Sequence, residues 1–124
     1  MDKLFINATI DSPEVLLDAN ENEFVFRGKS KILDVYDFYN PVLKWIDIYK
    51  VQPNNQTVVD FKLEYFNVAS SKAILDILLK FEEIHAHSNT LKINWHFSEQ
   101  DLDMKDAGEE YADIVELPFS FLPL

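Results

Sequence analysis

The sequence predicts an α/β fold, a two-layer sandwich whose mixed sheet carries helices mainly on one face. Three observations predict it. Two stretches alternate apolar with polar residues at the period of a strand, and three others repeat apolar residues at helical spacing. The two kinds follow one another as strand, helix, strand. In a chain of 124 residues, 48% hydrophobic, this is enough for one continuous core and one domain, residues 1–124. Only Gly28 and Gly108 interrupt it as glycines, so short connections are expected.

The N-terminal third reads as a hairpin or meander. Val15-Leu16-Leu17 and Phe24-Val25-Phe26 flank a turn composition, Asp18-Ala19-Asn20-Glu21-Asn22, and Gly28 is expected to end the unit. From Asp34 onward Val35, Phe38, Tyr39, Val42, Ile46 and Tyr49 form a helical stripe, with Asp37, Lys44 and Asp47 off it, which predicts a helix to about Tyr49. Pro41 leaves two readings open. It kinks that helix, or with Asn40 as N-cap it marks the true first turn. Val51-Gln52-Pro53-Asn54-Asn55 supplies the stop.

The clearest strand is Val58 to Phe66, where Val59, Phe61, Leu63 and Tyr65 alternate with Asp60, Lys62 and Glu64. Leu91, Ile93, Trp95 and Phe97 alternate with Lys92, Asn94 and His96 in the same way. Alternation of this kind implies a sheet packed on one face and largely wet on the other. Between the two strands Ile74, Ile77, Leu78, Phe81 and Ile84 make a second helical stripe, stopped by Ser88-Asn89, and the order implies a right-handed crossover with parallel strands. A third helix carries Met104, Ala107, Tyr111 and Ile114, and Leu117-Pro118-Phe119 closes the chain as a short edge segment.

Charge narrows the partners. With 22 acidic and 11 basic residues the net charge is −11, a field that repels nucleic-acid phosphates and anionic lipids. The absence of cysteine removes disulfides, thiolate metal sites and thiol nucleophiles. No stretch approaches the roughly 20 apolar residues of a membrane span, and Met1-Asp2-Lys3-Leu4-Phe5-Ile6 has no signal-peptide core, so the expected location is the cytoplasm.

Enzyme signatures are missing. Two isolated glycines build no phosphate loop, dinucleotide fingerprint or nucleophile elbow, so no catalytic residue and no cofactor is expected. His85 and His87 point to different sides of a helix end and make a poor metal pair, while a helix-end cation suits the macrodipole there. His96 stands on the polar face of its strand. Asp101, Asp103, Asp106, Glu109 and Glu110 concentrate acid at the third helix but miss the spacing of an EF-hand loop, and acid in a first helical turn is favoured by the dipole alone.

The most informative segment is Glu64-Tyr65-Phe66-Asn67-Val68-Ala69-Ser70-Ser71-Lys72, which leaves a strand and enters a helix. Asn67, Ser70 or Ser71 can cap its orphan amides. A phosphate at such a helix start is stabilised by the N–H groups, and adding about −1.5 to −2 charges there can reverse the attraction of a docking face. The plain alternative is a serine that only caps a helix.

Leu63-Glu64-Tyr65-Phe66-Asn67, Ser70-Ser71-Lys72 and Ile74-Leu75-Asp76-Ile77-Leu78 together resemble the central motif of the SiaC-type regulatory phosphoprotein family. Further matching pieces run in order along nearly the whole chain: Ala8-Thr9, Ser12-Pro13-Glu14-Val15, Gly28-x-Ser30, Phe38-Tyr39-x-Pro41-Val42-Leu43-x-Trp45, Trp95, Asp101-x-Asp103-Met104, Gly108-Glu109 and Pro118-Phe119. Each piece is weak alone, and their order is specific. The resemblance implies a STAS-like fold, similar to anti-sigma-factor antagonists. It also implies a partner-switching role in bacterial cyclic di-GMP signalling and biofilm formation: a cognate kinase phosphorylates the protein, a PP2C-type phosphatase reverses this, and the unmodified form binds and activates a diguanylate cyclase.

The sequence departs from the family at two places. The family's strand-to-helix motif reads Asn-Thr-Ser-Ser with the threonine as phosphoacceptor, and here that position is Val68, which has no hydroxyl. Lys31-Ile32-Leu33 stands where relatives tend to carry Pro-Glu-Asn. Ser70 and Ser71 remain as candidate acceptors.

The sequence therefore points to a non-enzymatic regulator that docks on a signalling protein through Tyr65, Asn67, Val68, Ala69, Ser70, Ser71 and Lys72. An alternative is a small domain binding a divalent cation or ligand through the acidic third helix. A third reading is a structural subunit of an acidic oligomer.

Overall fold

In the computed structural model, which describes residues 1–87 and 90–124, each periodic stretch becomes the element its period demands. Among the described residues the order is β1 (Leu4–Ile6), β2 (Glu14–Asp18), β3 (Glu23–Ser30), α1 (Val35–Tyr49), β4 (Gln56–Phe66), α2 (Val68–His85), β5 (Thr90–Phe97), α3 (Leu102–Ile114) and β6 (Phe119–Pro123). The Ser88-Asn89 stop lies outside the described residues.

The six strands form one mixed sheet in sequence order, β1-β2-β3-β4-β5-β6. The first three are an antiparallel meander, whose β2–β3 turn is held by Asp18 Oδ1 accepting from the N–H groups of Asn20 and Glu21, with Asn22 in the left-handed region. From β3 onward neighbours are parallel, and each is reached through a helix. The β4-α2-β5 unit is thus the parallel crossover that the sequence predicts.

One sheet face is packed and the other largely wet. Phe24, Phe26, Val59, Phe61, Leu63, Leu91, Ile93 and Trp95 are buried under the helices, whereas Glu64 and Lys92, on the other face, are exposed. Aromatic rings knit the layers. Phe24 meets Trp45 and Tyr49 of α1, and Trp95 meets Tyr111 of α3, at centroid distances of 4.7 to 6.4 Å across this network of rings, with Phe61 stacked between strands. Every residue of the second predicted stripe, Ile74 to Ile84, is buried.

Two expectations are corrected and one open alternative is decided. Gly28 does not end β3: the strand runs on to Ser30, and Gly28, at φ +114°, sits where the β3–β4 register shifts, so it bends the strand. Pro41 lies inside α1, not at its start, because Asp34 is the N-cap. The α3 stripe is only partly covered: Met104 and Tyr111 are buried, but Ile114 is 60% exposed.

Candidate functional site

Parallel strands β3 and β4 finish at one end of the sheet, with Ser30 beside Phe66 in register, and the chain turns there into α2. Asn67 makes that turn. Its backbone is extended, its Oδ1 accepts from Ser70 N–H at 2.8 Å, its Nδ2 donates to Ile32 C=O at 3.0 Å, and its own N–H donates to Ser30 C=O at 2.9 Å. One residue thereby caps α2 and ties it to both β3 and the loop before α1.

Beneath the cap lies a buried hydroxyl chain. Ser30 Oγ donates its single hydrogen to Ser70 Oγ at 2.7 Å, so Tyr39 is the donor in its own 2.7 Å bond to Ser30 Oγ. Ser70 then donates to Ser30 C=O at 3.2 Å, which closes the chain. From the other side Tyr111 Oη donates to Ser71 C=O at 2.7 Å. Burial pushes the Tyr39 phenol up to about 12, against the opposing pull of its Ser30 hydrogen bond, and burial likewise pushes the Tyr111 phenol up. Both stay neutral donors at physiological pH.

Held this way, the first turn of α2 has an inner and an outer side. Val68 is 88% exposed, Ala69 and Lys72 are exposed, and Tyr65 is half-exposed at the end of β4 with Lys31 Nζ 5.7 Å from its ring centroid. Asn67 and Ser70 face inward as supports. Ser70 is fully buried, and both its hydroxyl bonds run inside the molecule, so a phosphate on it would have no room without opening the α2–β3 contact. This corrects its standing as a candidate acceptor. Ser71 is part-exposed, with its hydroxyl donating back to Val68 C=O at 2.6 Å.

Sequence reasoning missed part of this surface. Leu33, 97% exposed, and Leu102 project from the neighbouring loop and helix start at the same end of the sheet. Ser30 and Tyr39 carried a legible signal: Ser30 continues the Phe24, Phe26 alternation, and a hydroxyl at a core-facing position needs a buried partner.

The other candidate groups are put to structural use. Asp101 Oδ1 caps α3 by accepting from Met104 N–H at 3.1 Å. Asp103, Asp106, Glu109 and Glu110 are exposed along that helix, and among the described residues no three or more His, Asp or Glu side chains are grouped to hold a metal ion. His85 stands in the last turn of α2, as the sequence predicts, and its Nδ1 accepts from Leu91 N–H at 3.3 Å. His96 Nε2 pairs with Asp60 Oδ1 at 2.8 Å on the open sheet face. Among the described residues no helix is long and apolar enough to cross a membrane.

Residues 6–124 match the family described as SiaC family regulatory phosphoprotein. The chain belongs to the SiaC family. An uncharacterized protein of Pseudomonas aeruginosa (strain UCBPP-PA14) is 25% identical over 120 residues, which are 97% of this chain and 95% of that protein. Two solved structures are similar to the fold along its length. Apo-SiaC from Pseudomonas aeruginosa has a TM-score of 0.91 at 24% identity, covering 98% of this chain and 99% of that one. A second is the diguanylate cyclase SiaD in complex with its activator SiaC from Pseudomonas aeruginosa, with a TM-score of 0.89 at 24% identity, covering 98% and 99%. At such identity these structures show the SiaC fold, with its mixed sheet and three helices, in this member too.

Proposed function

We propose that this SiaC-family chain is a single-domain, non-enzymatic cytoplasmic regulator that docks on a diguanylate cyclase and controls it. The docking face is Tyr65, Val68, Ala69, Ser71 and Lys72, with Asn67 and Ser70 as the framework that presents it. The observation that carries this reading is Val68, an apolar side chain 88% exposed on the first turn of α2, at the family's acceptor position. An uncovered apolar group on a rigidly capped turn suits burial against a partner. The complex in which SiaC is the activator of SiaD supports the choice of partner class.

Because Val68 has no hydroxyl, the family's switch has no acceptor there. Of the two candidate serines, the one open to a kinase and a PP2C-type phosphatase is Ser71. The test is cyclic di-GMP formation by a purified diguanylate cyclase from the same genome, with the chain added. Added protein is expected to raise turnover, and Val68→Glu is expected to remove the effect while leaving the melting temperature unchanged. Unaltered turnover at saturating protein would overturn the proposal. Phosphopeptide mapping of protein from its host decides the switch, since phosphate on no serine leaves a constitutive activator.

A further inference from the structure

The open face of the sheet holds cations that the molecule leaves unpaired. Arg27 of β3 lies beside Lys62 of β4 in register, and past the bulge at Gly28, Lys29 lies beside Tyr65. Glu14, beside Arg27 on β2, and Asp60, on the same strand as Lys62, are both engaged: Glu14 Oε2 with Arg27 Nη1 at 2.9 Å, and Asp60 Oδ1 with His96 Nε2 at 2.8 Å. Lys29, Lys31 and Lys62 have no carboxylate in ion-pair reach among the described residues. Lys29, Lys31, Tyr65 and Asn67 line a hollow of about 570 Å³, with Lys31 Nζ 5.7 Å from the Tyr65 ring centroid and no acid in the lining. Nearby, Glu64 lines a different hollow with Asp101 and Asp103, and Asp11 approaches through its backbone, whose carbonyl accepts from Lys31 N–H at 2.8 Å.

With 22 acidic and 11 basic residues the average surface of this chain is acidic, so a hollow lined by two unpaired lysines carries a local sign opposite to that of the whole. We infer that this lysine corner receives the carboxylates of an acidic segment of the protein partner, next to the apolar contact at Val68. Its position favours the docked partner as the source, because Tyr65 and Asn67 belong both to the hollow and to the entry into α2. Its donors favour carboxylates over a fitted phosphate. The Asn67 side chain is spent on Ser70 N–H and Ile32 C=O, and the Arg27 guanidinium on Glu14, so the hollow is offered ammonium groups on flexible stems and no fixed fork. A second copy of this chain is a poor source of the acid, because two molecules of net charge −11 repel each other. The inference rests on the docking reading above and deepens it by naming the chemistry that the partner brings to one side of Val68.

The test has two arms. In the first, binding of the purified cyclase is compared between wild type, Lys29→Glu with Lys31→Glu, and Lys3→Glu with Lys44→Glu, which makes the same change of net charge at exposed lysines elsewhere. The corner reversal is expected to keep the melting temperature, weaken binding about tenfold through slower association, and flatten its salt dependence, whereas the control pair changes affinity less than about twofold. In the second arm, a short synthetic peptide alternating glutamate with serine is titrated into the isotope-labelled chain, with a glutamine version and ATP as comparisons. The glutamate peptide is expected to shift the amides of Lys29, Lys31 and Tyr65 saturably, and the glutamine peptide to leave them in place. Equal weakening by both lysine pairs, no weakening by the corner pair, peptide shifts only elsewhere, tighter binding of ATP than of the glutamate peptide at the corner, or self-association lost in the corner pair would each overturn the inference. Cyclase binding lost in Val68→Glu but intact in the corner pair removes the corner and keeps the docking face. A cyclase that ignores the wild-type chain removes the docking reading, and the peptide arm then decides the corner alone.

Discussion

Gly108 shows how one residue sets the spacing of a layer. A Cβ built there would stand 2.5 Å from Trp95 Nε1, and the indole has no room to yield because Nε1 donates to Met104 C=O at 2.9 Å while Phe61 and Tyr111 flank the ring. Alanine normally gains about 1 kcal/mol over glycine in a helix, yet the clash is the larger effect, so Gly108→Ala is expected to cost about 1–3 kcal/mol in urea denaturation. Tyr39 makes a second prediction. Its folded pKa, about 12, lies above the unfolded value near 10, so the folded state holds the proton more tightly. That contribution is fully present below pH 10 and is lost as pH rises toward 12, by up to about 1.4 kcal/mol per pH unit. Tyr39→Phe should flatten this alkaline fall in thermal melts and cost about 1–2 kcal/mol at neutral pH, because the Ser30 hydroxyl loses its donor.

Between residues and molecule stand the junctions of elements, and Asn67 is the one that matters for docking. Asn67→Ala removes both the oxygen that caps Ser70 N–H and the amide that reaches Ile32 C=O, with an expected cost of about 1–2 kcal/mol. Asn67→Asp keeps the capping oxygen and loses only the Ile32 bond, so it should fall between wild type and alanine. Hydrogen exchange at Ser70 and Ser71 reads this directly, since fraying of the first turn speeds both amides. Helix α1 illustrates a different rule. Pro41 sits in its interior without an N–H for Asp37 C=O, but both residues are exposed, so water can satisfy the carbonyl.

Across the whole molecule, protection should follow position in the sheet. β3, β4 and β5 have neighbours on both sides and helices above them, while β1 and β6 each leave one edge unpaired. Amide exchange is expected to be slowest in β4 and fastest at the two edges; equal protection of β1 and β4 would contradict this order. The same arrangement brings the β3, β4 and β5 exits to one end of the sheet, the C-terminal end of the parallel strands. Leu33, Val68 and Leu102, distant in sequence, therefore share one end of the molecule, where parallel strands of α/β folds commonly offer their binding groups.

Local periods and chemistry were readable without coordinates. Strands β4 and β5, the α2 stripe, a cap supplied by Asn67, Ser70 or Ser71 and the missing hydroxyl of Val68 follow from spacing, composition and the family motif, because backbone geometry imposes periods of 2 and 3.6 on any chain. Which of two adjacent serines is available did not follow. Ser70 and Ser71 are about 100° apart on one helix, and only the packing of α2 on β3 turns the first inward to Ser30. The uncovered Ile114 and the continuation of β3 past Gly28 were hidden for the same reason. Each depends on what a distant segment places opposite it, and periodicity names a face without naming its neighbour.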